Sequence, residues 1–304
     1  MKRFVFIITY PLLWFISKLP FFVLHLFSDF IFVILFYLVG YRKEVVLQNL
    51  KYAFPEKSID ELKVIRRKFF RHFVDIFIEM IKSFTISEKE INKRYKYINK
   101  EIFKDIEAMN KSVILMGSHY ANWEWIINIC SYTKLHCVGA FTRLTNPHYN
   151  QLIKTNRSRF GSEFVQTSKT IKKLIKYKLD NKLAIYGLLS DQSPSLEKTH
   201  YWAEFLNVKV PIHTGAEMLA KKHNFALVHM KVNKVKRSHY EIEFEILSEN
   251  PQEIPDYQIT DDFLRRTEAQ IHEKPEFYFW THKRFKYKDH APNTSRQKRK
   301  KPNK

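Results

Sequence analysis

Four apolar residues, Val113-Ile114-Leu115-Met116, are followed at once by Gly117-Ser118-His119-Tyr120-Ala121-Asn122-Trp123-Glu124. A short, unbroken apolar run ended by glycine reads as a strand buried on both faces, as in the parallel sheet of an α/β fold. His119 then falls at the carboxyl end of the strand, where open α/β sheets place their ligands. Asn122 can cap a helix running from Trp123 to about Tyr132. On one continuous helix His119 and Glu124 would be roughly 140° apart and unable to pair. They can meet if His119 sits in the turn and Glu124 in the first helical turn. A histidine held by a carboxylate is the arrangement that takes a proton from a hydroxyl. The plainer alternative is a histidine hydrogen-bonded at a strand end for structural reasons.

Two further apolar segments end in the same way. Leu135 to Phe141 reads as a strand ending at Thr142-Arg143, and Leu183 to Leu189 as one ending at Ser190-Asp191-Gln192. An arginine at a strand end can bind phosphate or stabilise an oxyanion, or simply form a surface ion pair. Asp191 can position the histidine motif, bind an acceptor, or cap the turn before Pro194. Between these strands, Pro147 to Phe160 reads as a basic helix carrying Arg157 and Arg159 before Gly161, and Thr170 to Leu179 as another. Ser58-x-x-Glu61 is a capping box opening a helix from Ile59 to about Phe84. Its stripe of Ile65, Phe69, Phe73, Ile76, Phe77 and Met80 reads as core. Phe84 to Met109 shows short helical patterns without clear chemistry. Thr199 to Phe205 reads as an aromatic loop and a candidate wall for an apolar ligand. His213 to Lys222 and Asp261 to His272 read as helices, and Phe225 to Val232 and Tyr240 to Leu247 as strands.

Residues 4 to 39 are overwhelmingly apolar and divide at Lys18-Leu19-Pro20. The second run, Phe21 to Val39, is roughly 28 Å long as a helix, just enough to cross a bilayer. It nevertheless carries His25 and Asp29 on one face, and a charge at mid-bilayer costs about 2.5–3.5 kcal/mol on insertion scales. Basic pairs bracket the region on both sides, which a single span would violate. The segment therefore reads as an in-plane or re-entrant anchor whose His25/Asp29 face turns toward protein or headgroups. A single span and a buried helix pair are the alternatives. The whole chain carries 52 basic and 31 acidic residues, a net charge of +21. Such a balance implies anionic partners. Six glycines form neither a dinucleotide fingerprint nor a phosphate loop, and Cys130 and Cys137 have no zinc-site spacing. They read as free thiols in a reducing compartment.

His119-x4-Glu124 resembles the HX4E motif of the late (secondary) acyltransferases of lipid A biosynthesis, the lauroyl and myristoyl transferases, within the lysophospholipid acyltransferase superfamily. Five further segments are similar to that family in the same order. They are Tyr41-Arg42-Lys43 through Ala53-Phe54-Pro55-Glu56; Phe141-Thr142-Arg143 with Asn146-Pro147; Arg157-x-Arg159-Phe160-Gly161; Ser190-Asp191-Gln192; and Trp280 to Lys286. The resemblance implies one α/β acyltransferase domain, residues 41–290, with a central mixed, largely parallel sheet flanked by helices. A membrane-associating apolar helical segment precedes it at 1–40, and a basic tail follows at 291–304. It further implies acyl transfer from an acyl carrier protein thioester to a lipid A precursor at the cytoplasmic face of the inner membrane. His119 would be the general base and Glu124 would orient it; Arg143, Asp191, Gln192 and Arg159 would contact substrate. No cofactor, metal or nucleic acid is expected. Acylation of another membrane lipid, a basic nucleic-acid binder and an inactive scaffold are the competing readings. The apolar start and the lack of a recognition motif argue against nucleic acid.

Overall fold

A computed structural model describes residues 2–290; the basic tail lies outside the described residues. Its strands are β1 (Tyr95–Tyr97), β2 (Val113–Gly117), β3 (His136–Phe141), β4 (Glu163–Gln166), β5 (Ala184–Leu189), β6 (Tyr201–Phe205), β7 (Val208–Ile212), β8 (Ala226–Lys236) and β9 (His239–Ser248). Seven of them form one sheet in the order β1-β9-β8-β2-β5-β3-β4. Every neighbouring pair is parallel except the β8–β9 hairpin, so the sheet is mixed and largely parallel, as expected. β2 lies at its centre and is buried at every position, which is why it carries no alternation. The helices are α1 (Lys2–Lys18), α2 (Phe21–Val33), α3 (Lys43–Ala53), α4 (Ile59–Lys82), α5 (Glu88–Arg94), α6 (Ile102–Ala108), α7 (Pro147–Arg157), α8 (Thr170–Leu179), α9 (Gly215–His223) and α10 (Gln258–Glu273).

Local sequence signals explain most boundaries. The capping box forms at α4: Glu61 N donates to Ser58 Oγ at 3.3 Å and Ser58 N to the Glu61 carboxylate at 2.8 Å. The α4 stripe packs inward at Phe69, Phe73 and Ile76, whereas Phe77, expected in the core, is 43% exposed. Tyr201–Phe205 is a strand rather than a loop. It pairs with β7 through a two-residue turn in which Leu206 and Asn207 both take positive φ, the geometry a tight hairpin requires. β1 and β4 lie in segments whose polar or charged composition concealed them.

Within the apolar start α1 is largely exposed, and α2 is packed against the rest of the chain along one side. α2 continues through a π-helical stretch, Ile34–Val39, to a left-handed Gly40. Leu24, Ser28, Phe32 and Phe36 recur every four residues and are buried, while Phe22, Leu26 and Phe30 on the other side are 69%, 66% and 61% exposed. His25 and Asp29 face protein. His25 Nε2 lies 2.8 Å from Ser238 Oγ, at the β8–β9 turn. Asp29 accepts from Arg237 at 2.9 Å and from Arg71 at 3.1 Å. Arg237 also donates to the buried Asp75 of α4 at 2.6 Å, and Ser28 Oγ donates to the same carboxylate at 2.7 Å. The polar face of α2 is thus matched, group by group, by α4 and the hairpin turn.

Removing one member of a buried charge cluster leaves the others uncompensated, at about 3–5 kcal/mol. Arg237→Ala should destabilise the protein by about 3 kcal/mol, the low end because Lys234 stays 3.5 Å from Asp75. Denaturant unfolding of the two proteins measures the difference, and a loss under about 1 kcal/mol would contradict the role given to Arg237.

Candidate active site

β2 and β5 are parallel neighbours, with Gly117 opposite Leu189. His119 and Asp191 each lie two residues beyond that pair, so the register alone brings them side by side at one sheet edge. The ladder extends one step further, Ser190 N donating to Gly117 O at 3.0 Å. His119 Nδ1 then stands 2.8 Å from Asp191 Oδ1. Asp191 is fully buried. Burial pushes its carboxyl upward, but the His119 charge and hydrogen bonds from the His119 side chain and backbone outweigh burial and hold it below its ordinary value. A carboxylate on Nδ1 fixes the tautomer and leaves the Nε2 lone pair as the base. The imidazole is one-fifth exposed and lines a cleft of about 680 Å³ with Trp123, Glu124, Arg157, Gln192 and His213. Trp123 meets its ring edge-on at 5.1 Å between centroids.

Asn122 caps the following segment as expected, its Oδ1 accepting from Glu124 N and Trp125 N at 3.1 Å each. The segment Trp123–Tyr132 winds as a 3₁₀ helix. Ala121 before it takes φ +49°, held there by its N–H bond to Phe277 O at 2.9 Å. This bend delivers Glu124 to the cleft that holds His119, yet the hydrogen bond expected between the two is not formed. Arg157, at the end of α7, grips Glu124 with a two-pronged fork of 2.6 Å and 2.9 Å. Of the two alternatives, Asp191 is the group that orients the histidine.

The other expected contacts divide. Gln192 lines the cleft. Arg143 is exposed on the loop after β3, between cleft-lining Thr142 and Leu144. Arg159 lies elsewhere: it donates to Ser83 O at 2.6 Å and Ile86 O at 3.1 Å, tying down the chain after α4. Its neighbour Arg157 is the arginine of that motif which reaches the site. The aromatic stretch Thr199–Phe205 does not line the cleft or the cavity beside it.

That cavity, of about 130 Å³, opens beside Glu124 and Arg157 and runs over the sheet. Leu115, Gly187, Gly139 and Phe164 are paired in one row across four adjacent strands. Gly187 leaves a trough between Leu115 and the Phe164 ring, which itself lies over Gly139, and Ile126, Ile127 and Ile129 line it. Gly187 has open space, the nearest atom to an added Cβ being Val138 O at 3.9 Å, whereas one at Gly139 would collide with the Phe164 ring. The site therefore joins an oriented base, an arginine–carboxylate pair and a narrow apolar pocket. Sequence spacing could not show the trough, because nothing in it specifies which glycines lie side by side.

The fixed tautomer is measurable. In ¹⁵N-histidine spectra, the neutral form of His119 should show a protonated Nδ1 and an unprotonated Nε2. Asp191→Asn should move that signal toward the tautomer mixture of an unconstrained imidazole. An unchanged signal in the variant would mean that Asp191 does not set the tautomer.

A comparison with curated proteins returned no match. The family described as bacterial lipid A biosynthesis acyltransferase matches residues 1–287, nearly the whole chain. By that match, and with a fold and an edge site of the kind just described, the chain belongs to the bacterial lipid A biosynthesis acyltransferase family.

Proposed function

We propose that this acyltransferase carries a fatty acyl group from an acyl carrier protein thioester to a hydroxyl of a lipid A precursor, with His119 as general base. The observation that carries the reading is the His119–Asp191 pair of 2.8 Å, in a cleft that shares Trp123, Glu124 and Arg157 with the apolar trough. Nε2 takes the acceptor hydroxyl proton as the oxygen attacks the thioester carbonyl carbon. The carbon–sulfur bond then breaks, and the imidazolium returns the proton to the departing thiolate. Asp191 stabilises the imidazolium between the two transfers. Charge develops on the thioester oxygen, and the Arg157 guanidinium, held in place by Glu124, is suited to stabilise it. Glu124 thus serves catalysis through Arg157. Gln192 and Arg143, at and beside the rim, contact the glycolipid, Arg143 through a phosphate. The trough holds the acyl chain.

Family membership supplies the coarser statement that the chain is an acyltransferase of lipid A biosynthesis. The net charge of +21 favours both an acidic carrier protein and a phosphorylated glycolipid. The exposed apolar face of α2, opposite a polar face already satisfied by protein, suits a helix lying in the cytoplasmic leaflet of the inner membrane.

Mass spectrometry of lipid A from cells with and without the protein tests the reaction, the expected difference being one acyl chain. An unchanged lipid A with an altered phospholipid would point to another acceptor. With purified precursor, His119→Ala should lose about 10²–10⁴-fold in turnover while remaining folded; near-normal turnover would remove His119 from the mechanism. Gly187→Val fills the trough without moving the base. It should shift donor preference toward shorter chains, read from turnover on an acyl-length series, and an unshifted preference would place the acyl chain elsewhere.

A further inference from the structure

One buried acid plays no part in that chemistry. Glu79, on α4, is 2% exposed, and its carboxyl is raised above the ordinary value by burial, against the pull of Lys234. Three donors converge on it. Asn122 Nδ2 donates to Oε2 at 2.6 Å, Tyr240 OH to the same oxygen at 2.8 Å, and Ser238 Oγ to Oε1 at 2.7 Å. Its own backbone carbonyl accepts from Trp125 Nε1 at 3.3 Å.

Asn122 connects this acid to the site. It is fully buried, and its amide faces both ways: Nδ2 toward Glu79, Oδ1 toward the N–H groups of Glu124 and Trp125. The carboxylate therefore fixes the amide, and the amide fixes the first turn after His119, from which Glu124 reaches Arg157. The preceding Ala121 sits in left-handed backbone that an alanine disfavours, so the turn needs such outside restraint. The opposite oxygen leads away from the site. Ser238 gives its proton to Glu79, so its oxygen accepts from His25 Nε2 on α2.

We propose that Glu79 is a positioning residue for the catalytic turn. It holds Asn122, and through it Glu124 and the backbone beside His119, in register, and it ties that turn through Ser238 to α2. The inference rests on the reading of His119 as base and adds to it a residue that touches no substrate.

A polarity swap tests it. Glu79→Gln keeps the shape but offers one acceptor and one donor where three donors converge, so the Asn122 bond is lost or weakened. Asn122→Asp restores a partner, because aspartate caps a helix equally well and its second oxygen accepts from the glutamine amide. Asn122→Ser retains a cap but cannot reach Glu79. With thioester donor and purified lipid A precursor, Glu79→Gln and Asn122→Ser should each lower kcat about tenfold to a hundredfold with donor KM nearly unchanged, since small misplacements of catalytic groups cost that much. The Glu79→Gln/Asn122→Asp double variant should recover to within about threefold of the parent. Full turnover in folded Asn122→Ser, or a folded double variant no better than Glu79→Gln alone, would overturn the proposal. A purely structural role would lower thermal stability without this reversal. Parent turnover separately decides the reading of the reaction. If the parent does not turn over this acceptor, the His119 ¹⁵N signal still decides: displaced in Asn122→Ser and restored in the swap supports positioning, and unmoved in Asn122→Ser overturns it.

Discussion

The His119–Asp191 pair depends on the register between β2 and β5. Gly117 faces Leu189, and every consequence at the site follows from counting two residues along each strand from that pair. A slip of one residue would turn one strand's side chains to the other face relative to its neighbour and separate His119 from Asp191. The register is secure because both strands are buried on a sheet with neighbours on each side, where a slip would bury polar groups and strand apolar ones. A pair held 2.8 Å apart by the fold costs little reorganisation when the imidazole gains a proton. The precision of the site is thus inherited from the sheet's backbone ladder.

Two buried polar assemblies stand behind the sheet edge. One surrounds Asp75 and Arg237 beneath α2; the other surrounds Glu79 beneath the catalytic turn. They share α4, whose residues 75 and 79 lie one turn apart, and they share the β8–β9 turn, which supplies Arg237 to the first and Ser238 to the second. Buried charges are poor investments for stability alone, since apolar replacements often do as well. Their value is directional. A hydrogen-bonded carboxylate accepts one arrangement of its partners, whereas a leucine in the same place would tolerate several. The polar stripe of an otherwise apolar α2 therefore specifies where that helix rests.

Much of this was legible in advance. The apolar runs at 113, 135 and 183 announced three parallel strands, and the polar residues ending each of them marked the sheet edge that carries the site. Asn122 and Ser58 announced their caps, and His25 with Asp29 announced a polar side to α2 turned toward protein or headgroups. Side-chain pairing was less legible. His119 and Glu124 are close in sequence and share a cleft, but Asp191 and Arg157 take the hydrogen bonds, because strand register and helix packing act over distances that local spacing does not encode. Arg157 and Arg159 both precede the same glycine stop, and the family resemblance implies Arg159 as the substrate contact; only the course of α7 decides that Arg157 reaches the cleft. Glu79 was concealed inside a helical stripe, where an acid between apolar residues reads as the solvent side.

The trough over the sheet is made by omission. Gly187 leaves out a side chain in mid-row while the Phe164 ring fills the space over Gly139, so an apolar hollow remains over the sheet. An apolar chain seated there supplies the missing contacts and serves, for as long as it stays, as part of the hydrophobic core. If the acyl chain sits there as proposed, donor saturation and thermal stability become linked: by mass action, an occupant present at about a hundred times its dissociation constant adds about 2.7 kcal/mol. On that reading, the protein would be most completely packed while it is at work.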